Sequence, residues 1–455
     1  MSRAVSKSMK IDMCTGSIAG KLLLFAGPLM LSSILQLMFN AADVIVVGKF
    51  AGDNSLAAVG SVSSLVNLLV NFFMGLSIGA NVMASRYYGS KDDEKLSRVE
   101  HTTMTLSLLS GIILLVAGVV LSPQILKWMQ SPPEVIGLST LYLRIYFLGM
   151  PASMIYNFGS AVLRAVGDTK RPMYYLTFAG VVNVILNLFF VICLDMDVAG
   201  VALATIISQY ISAVLIVRCL MKEEGALKLC ISKLSLDRKI MGKIFSIGLP
   251  ASVQSLLFSF SNVIIQSSVN VFGATVVAGN SAGQSIEGFV YVAMNAFYQA
   301  CISFVSANVG AGNIKRINSI VIKAEILVTI VGLVAGNATY FFRYPLLSLY
   351  TDSEEVMAAA VIRLAYIVIP YFLCGMMDTM VGALRGLGCS ILPMIVSLIG
   401  ACGLRLFWIF TFFQLPAFHE PKYLYITYPV SWAITFMAHV VCYFIVYRKK
   451  YGGRK

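Results

Sequence analysis

Apolar residues along this chain come in long runs rather than in alternating stripes. Runs at roughly 21–47, 56–84, 101–121, 137–159, 172–195, 199–221, 244–271, 276–308, 319–341, 358–381, 391–413 and 424–447 each reach the ~20 residues a helix needs to cross a bilayer. Short polar segments interrupt them. The longest, MKEEGALKLCISKLSLDRKIMGK from Met221 to Lys243, falls between the sixth and seventh runs. The pattern predicts an all-α integral membrane protein with twelve transmembrane helices.

A second pattern lies over the first. SAVLRAVGDTKRPMYYLTFAGVVNVILN (Ser160 to Asn187) and VGALRGLGCSILPMIVSLIGACGLRLFW (Val381 to Trp408) share a frame at an offset of 221, pairing Leu163 with Leu384, Arg164 with Arg385, Gly167 with Gly388, Pro172 with Pro393 and Met173 with Met394. Pro28 matches Pro250 at 222, Gly89 matches Gly310 at 221, and RIYFLGMP (Arg144 to Pro151) resembles RLAYIVIP (Arg363 to Pro370). The frame reads as an inner-face hairpin built twice: a helix ends, its arginine snorkels to the headgroups, glycine permits the turn, and proline opens the next helix where its missing N–H is tolerated. The expected organisation is an N-terminal six-helix lobe (1–221), a cytoplasmic linker (222–243), a C-terminal six-helix lobe (244–447) and a basic tail (448–455). Six is even, so both lobes insert the same way up, related by a pseudo-two-fold axis along the membrane normal, with the cleft between them as the pathway.

Composition and charge sharpen this picture. With 58% hydrophobic residues, 12% charged and a mean hydropathy of +0.83, the chain has too little polar surface for a soluble globule. If the amino terminus is cytoplasmic, the inner segments hold 26 of the 34 Lys and Arg, the outer segments four (Lys49, Lys127, Arg343, Lys422) and the spans four (Arg144, Arg218, Arg363, Arg405). Both termini are therefore expected in the cytoplasm of a multi-pass cell-membrane protein. The net charge of +13 follows from topology and contact with anionic membrane lipids, and no nucleic-acid partner is implied. GSIAGKLLLFAGPLM runs into a full-length span and does not read as a cleavable signal. Nine cysteines without a C-x-x-C pair read as packing residues.

Candidate chemistry is confined to polar groups at membrane depth, where each is expensive. At ~1.5 Å per residue, Asp43 lies ~9 Å inward of Lys49, Asn187 ~12 Å and Asn183 ~18 Å inward of Asp195, and Thr205 ~8 Å inward of Gly200. Asn183 and Asn187 share a helix face. One carboxylate with three neutral oxygens suits a hard monovalent cation, so these four residues are a sodium site if the coupling ion is Na+, and Asp43 alone suffices for H+. Helix-to-helix hydrogen bonding is the competing reading. At offset 221 the asparagines map to Leu404 and Trp408, so the helix can be built without them. In the second half, Glu287 and Arg405 are expected to form a buried pair, Asp378 to line the cavity, and Arg144 and Arg363 to act as snorkelling anchors. His439 and Glu325 read as packing or interfacial groups. Abundant Met and Phe suit a compliant pocket for flat cations, although lipid-facing helices are rich in both anyway.

FAGPLMLSSILQLMFNAADVIVVGKF, LRAVGDTKRP, NVILN, AGVALATIISQY and GALRGLGCSILP occur in this order over nearly the whole chain. In them the sequence resembles the multidrug and toxic compound extrusion (MATE) transporters. The resemblance implies a secondary antiporter, with its cation-coupling residues at Asp43, Asn183, Asn187 and Thr205, that exports organic cations or amphipathic drugs as a monomer, driven by inward Na+ or H+ and needing no other cofactor. Some members carry aspartate where this chain has Asn187, which lowers the negative charge of the site and leaves the ion open. Direct use of ATP is not expected, because GSIAGKL has three residues between its glycines and no Ser or Thr after Lys21. A membrane enzyme is disfavoured: there are three histidines and neither H-E-x-x-H nor G-x-S-x-G. A flippase for lipid-linked oligosaccharide or another polar lipid, from the same wider superfamily, is the closest alternative.

Overall fold

The structure is a computed structural model and describes residues 9–129 and 133–452. The first eight residues of the expected N-terminal lobe and residues 453–455 of the basic tail lie outside the described residues. Helices dominate: α1 (Ile18–Val46), α2 (Asp53–Gly89), α3 (Asp93–Trp128), α4 (Pro133–Leu148), α5 (Met150–Ala165), α6 (Lys170–Leu188), α7 (Asp197–Lys222), α8 (Arg238–Asn270), α9 (Ala274–Gly310), α10 (Ile314–Phe341), α11 (Arg343–Leu347), α12 (Glu354–Ile367), α13 (Phe372–Gly386), α14 (Ile391–Ser397), α15 (Leu404–Phe410), α16 (Pro421–Tyr425) and α17 (Thr427–Tyr451). Among the described residues ten helices are long and apolar enough to cross a membrane, and twelve if two bent pairs each count as one span.

The bent pairs are α4 with α5, turned by 46°, and α12 with α13, turned by 47°. They fall on the two matching motifs that end in Pro151 and Pro370, where a proline ring removes a backbone donor and crowds the preceding turn. The duplication is equally visible at the inner hairpin. Gly167 and Gly388 have φ of +85° and +80°. Each sits in the same pair of bonds, Gly167 N to Arg164 O and Asp168 N to Leu163 O, repeated as Gly388 N to Arg385 O and Cys389 N to Leu384 O. That is the helix-terminating arrangement in which a left-handed residue lets its own amide and the next one satisfy the last carbonyls. A Cβ on Gly167 would also lie 2.1 Å from the Ile11 carbonyl oxygen. The arginines of this frame do not both snorkel. Arg385 is 4% exposed and donates to the Tyr298 hydroxyl and to Gln254 Oε1, the latter at 2.8 Å.

The chain divides into two compact units, one of Met1–Ile11 with Leu31–Phe245, the other of Asp12–Met30 with Ser246–Lys455. The first stretch of α1, up to Met30, therefore groups with the second unit, unlike the lobe boundary expected from the duplication. Within the first unit α3 packs on α4 and α5, and α7 on α5 and α6, burying Leu143, Phe147, Phe158, Leu163 and Val201. The linker is docked rather than loose: Cys230 N donates to His101 Nε2 at 3.1 Å and Asp237 N to Thr102 Oγ1 at 3.3 Å, both acceptors on α3. Within the second unit α9 packs against α10, α12 and α13 around Phe297, Leu364, Ile367 and Val368, with Phe413 and Tyr425 in the same core.

Candidate functional site

In the first unit α1 carries Asp43, α6 carries Asn183 and Asn187, and α7 carries Thr205. Both α1 and α6 widen just beyond these residues into π-helical segments, Val47–Ala51 and Phe189–Cys193, which pack on each other and on α7. Such wide turns are rare and concentrate at functional positions. Asn183 and Asn187 are 4% and 1% exposed, and Asp43 is half-buried. The Asn187 Nδ2 donates to Asp43 Oδ1 and, at 3.4 Å, to Asn183 Oδ1. The Asn187 Oδ1 is buried without a hydrogen-bond partner. Asp43 forms no salt bridge among the described residues. Asp43, Asn183 and Asn187 are thus linked by hydrogen bonds, while the Thr205 Oγ1 donates to Val201 O of its own helix at 2.9 Å, which leaves its lone pairs unengaged.

Two groups were not singled out by the sequence reading. Tyr142 and Tyr146 of α4 stack at 6.1 Å with 25° between ring planes, and both lie within electrostatic range of the Asp43 carboxylate. Tyr146 also faces Gln209 of α7. The available signal was spacing: Tyr142 and Tyr146, like Thr205 and Gln209, are four residues apart on one helix face. The cluster thus offers one carboxylate, two amides and two phenols, with no neutralising base among the described residues.

The second unit arranges its charges differently. The expected Glu287–Arg405 pair does not form: Glu287 Oε1 accepts from Arg363 Nη2 at 2.5 Å. Arg363, expected at a headgroup, is 3% exposed and also donates from Nη1 to Asn280 Oδ1 at 2.6 Å. Asn280 in turn donates to Gln266 Oε1 at 2.8 Å. Arg363 thus sits on the face of α12 that meets α9, which an unbroken apolar run does not reveal. Arg405 instead donates through Nε to Ser431 Oγ at 2.8 Å. Asp378 on α13 is half-buried and faces Tyr291. Arg144 is exposed, with Nε 3.3 Å from Val119 O. His439 is fully buried with Nε2 3.3 Å from both Ser397 Oγ and Pro393 O, a packing role.

The MatE family model matches residues 28–189 and again residues 250–411, most of both halves at the offset read from the sequence. This chain belongs to the MatE family. Among relatives of this MatE chain, the probable multidrug resistance protein YoeA of Bacillus subtilis is 28% identical over 94% of each chain. The probable multidrug resistance protein YpnP of the same organism is 29% identical over 87% of this chain and 88% of its own. A solved structure of a MATE protein in complex with MaL6 has a TM-score of 0.90 at 20% identity, covering 96% of this chain and 98% of that one. The protein is a multi-pass membrane protein with the MATE fold, from a family of multidrug transporters.

Proposed function

We propose that this MatE chain is a secondary antiporter that exports cationic or amphipathic organic compounds in exchange for inward Na+ or H+ by alternating access. The observation that carries the reading is the Asp43–Asn187–Asn183 cluster. An acid at membrane depth with one amide donor and no basic partner is costly as a bare anion. A proton or a hard monovalent cation removes that cost, and the unbonded Asn187 Oδ1 supplies a second oxygen for the cation. The names of the relatives support multidrug substrates. Export then follows from mutual exclusion: a site that holds either ion or substrate couples the inward gradient to outward movement.

Moving one charge across 100 mV is worth ~2.3 kcal/mol, so one-for-one exchange of monovalent cations gains nothing from voltage. In proteoliposomes with the cytoplasmic side outward, dye uptake is expected with high luminal sodium or an acidic lumen, and it persists at zero voltage. Uptake that requires ATP, or that ignores both gradients, overturns the reading.

A further inference from the structure

The histidine on which the linker is docked has both ring nitrogens committed to the backbone. His101, on α3 and 4% exposed, has Nδ1 2.8 Å from Ser97 O and Nε2 3.1 Å from Cys230 N. A carbonyl only accepts and an amide only donates, so the partners assign the tautomer: Nδ1 carries the proton and donates, and Nε2 is bare and accepts. A charged imidazolium would set a second N–H against the Cys230 N–H. The docked linker and a charged His101 therefore exclude each other.

The bond lies in the stretch that leads from α7 into α8. Beside it, Asp237 N donates to Thr102 Oγ1, and the Asp237 carboxylate accepts from the Lys239 and Ile240 amides at 2.9 and 3.2 Å, capping the first turn of α8. No charged side chain is bonded to the ring among the described residues. Around it, Arg98 of α3 pairs with Glu94 and lies 3.8 Å from Asp237, and Glu223 at the start of the linker accepts from Lys10 and Arg171. Lys228 and Lys233 flank Cys230, Arg86 and Arg164 lie in the last turns of α2 and α5, and Glu100 is buried with neither carboxylate oxygen bonded. The change in bonding on protonation therefore falls on Cys230. We propose that His101 is a pH-sensitive latch: neutral, it holds the linker and the start of α8 on α3, and protonated, it lets them go, so that acid on the linker's side of the membrane loosens the joint between the two halves of the chain. The latch goes beyond the efflux reading and does not depend on it.

Amide hydrogen exchange of the full-length protein in nanodiscs, read by mass spectrometry on the peptide 225–237 and corrected for intrinsic exchange, tests the latch between about pH 8 and about pH 5, the range in which imidazole titrates. The ion pairs of Glu223 persist there, because its carboxyl is held below its usual value of 4.5. The wild type is expected to lose protection about tenfold or more toward the acid end. His101→Gln, whose amide oxygen can take the Cys230 N–H but gains no proton, should stay protected and flat. Thr102→Val, which removes the neighbouring anchor and nothing titratable, should lower protection at every pH and keep the wild-type fall. A flat wild type, or an equal fall in wild type and His101→Gln, overturns the proposal. If the Gln variant does not fold, the 15N-histidine spectrum of the wild type decides: the His101 ring has to gain its proton over the interval in which protection falls, and a loss of protection at a different pH overturns the latch equally.

Discussion

Two acids at membrane depth, one in each unit, face opposite circumstances. Asp43 has an amide donor and, among the described residues, no base, whereas Glu287 is held at 2.5 Å by Arg363, itself bonded to Asn280. The scaffold around them is the same duplicated frame, down to the bonds that close the turns at Gly167 and Gly388. Depth alone therefore does not distinguish a working carboxylate from a structural one. Compensation does. A neutralised acid has little left to exchange, while an uncompensated one changes state whenever a cation arrives or leaves.

The largest effect should come from removing the uncompensated acid. Asp43→Asn keeps size and hydrogen bonding to Asn187 but abolishes the charge, so ion-driven dye export should drop to background while the protein remains folded and ligand-binding. Full drug resistance in cells carrying this variant would break the comparison at its root. Removing the compensating base should act on stability instead. Arg363→Gln leaves Glu287 buried without its partner, at an expected loss of ~3–5 kcal/mol, and Glu287→Gln in the same chain should recover part of it. Additive damage in the double-mutant cycle, measured by chemical denaturation, would show that the two do not interact.

Intermediate effects sharpen the site itself. Asn187→Leu removes the unbonded Oδ1 that would supply a cation with its second oxygen, so the sodium concentration for half-maximal transport should rise about tenfold or more with expression preserved. Asn183→Leu, which touches the cluster only through the 3.4 Å amide contact, should shift it by about threefold or less. Loss of folded protein in either variant would favour the helix-packing role.

Much of this was legible in the sequence because the underlying signals are strong and one-dimensional. A run of twenty apolar residues needs no tertiary context, and counting rise per residue sufficed to bring Asp43 and Asn187 to one level, where they are hydrogen-bonded. What failed depended on which way a helix faces. Arg363 and Arg405 are both intramembrane bases, and which of them meets Glu287 depends on the helix face each occupies, which an apolar run does not record. The grouping of Asp12–Met30 with the second unit is likewise invisible to a repeat, which records ancestry rather than contact.

The smallest effect tests compensation outside the membrane, at the end of α7. Glu223 accepts from Lys10 Nζ at 2.5 Å and from Arg171, whose guanidinium also reaches Asp168. Burial pushes the Glu223 carboxyl up, but the bonds from Lys10 and Arg171 outweigh it and hold the group below its usual value of 4.5. A carboxyl depressed in the folded state contributes stability that is fully present above the unfolded value and is lost as pH falls through the folded one. The segment it anchors has a local reporter, because Ile11 N donates to Gly167 O at 3.1 Å. Protection of the Ile11 amide, corrected for intrinsic exchange, should therefore be constant at neutral pH and decline as pH drops below about 4.5. In Glu223→Gln the protection should already be reduced at neutral pH and should lose most of its acid dependence. A wild-type profile that stays flat into acid would mean that the backbone contact at Gly167, and not the ion pairs, holds the segment in place.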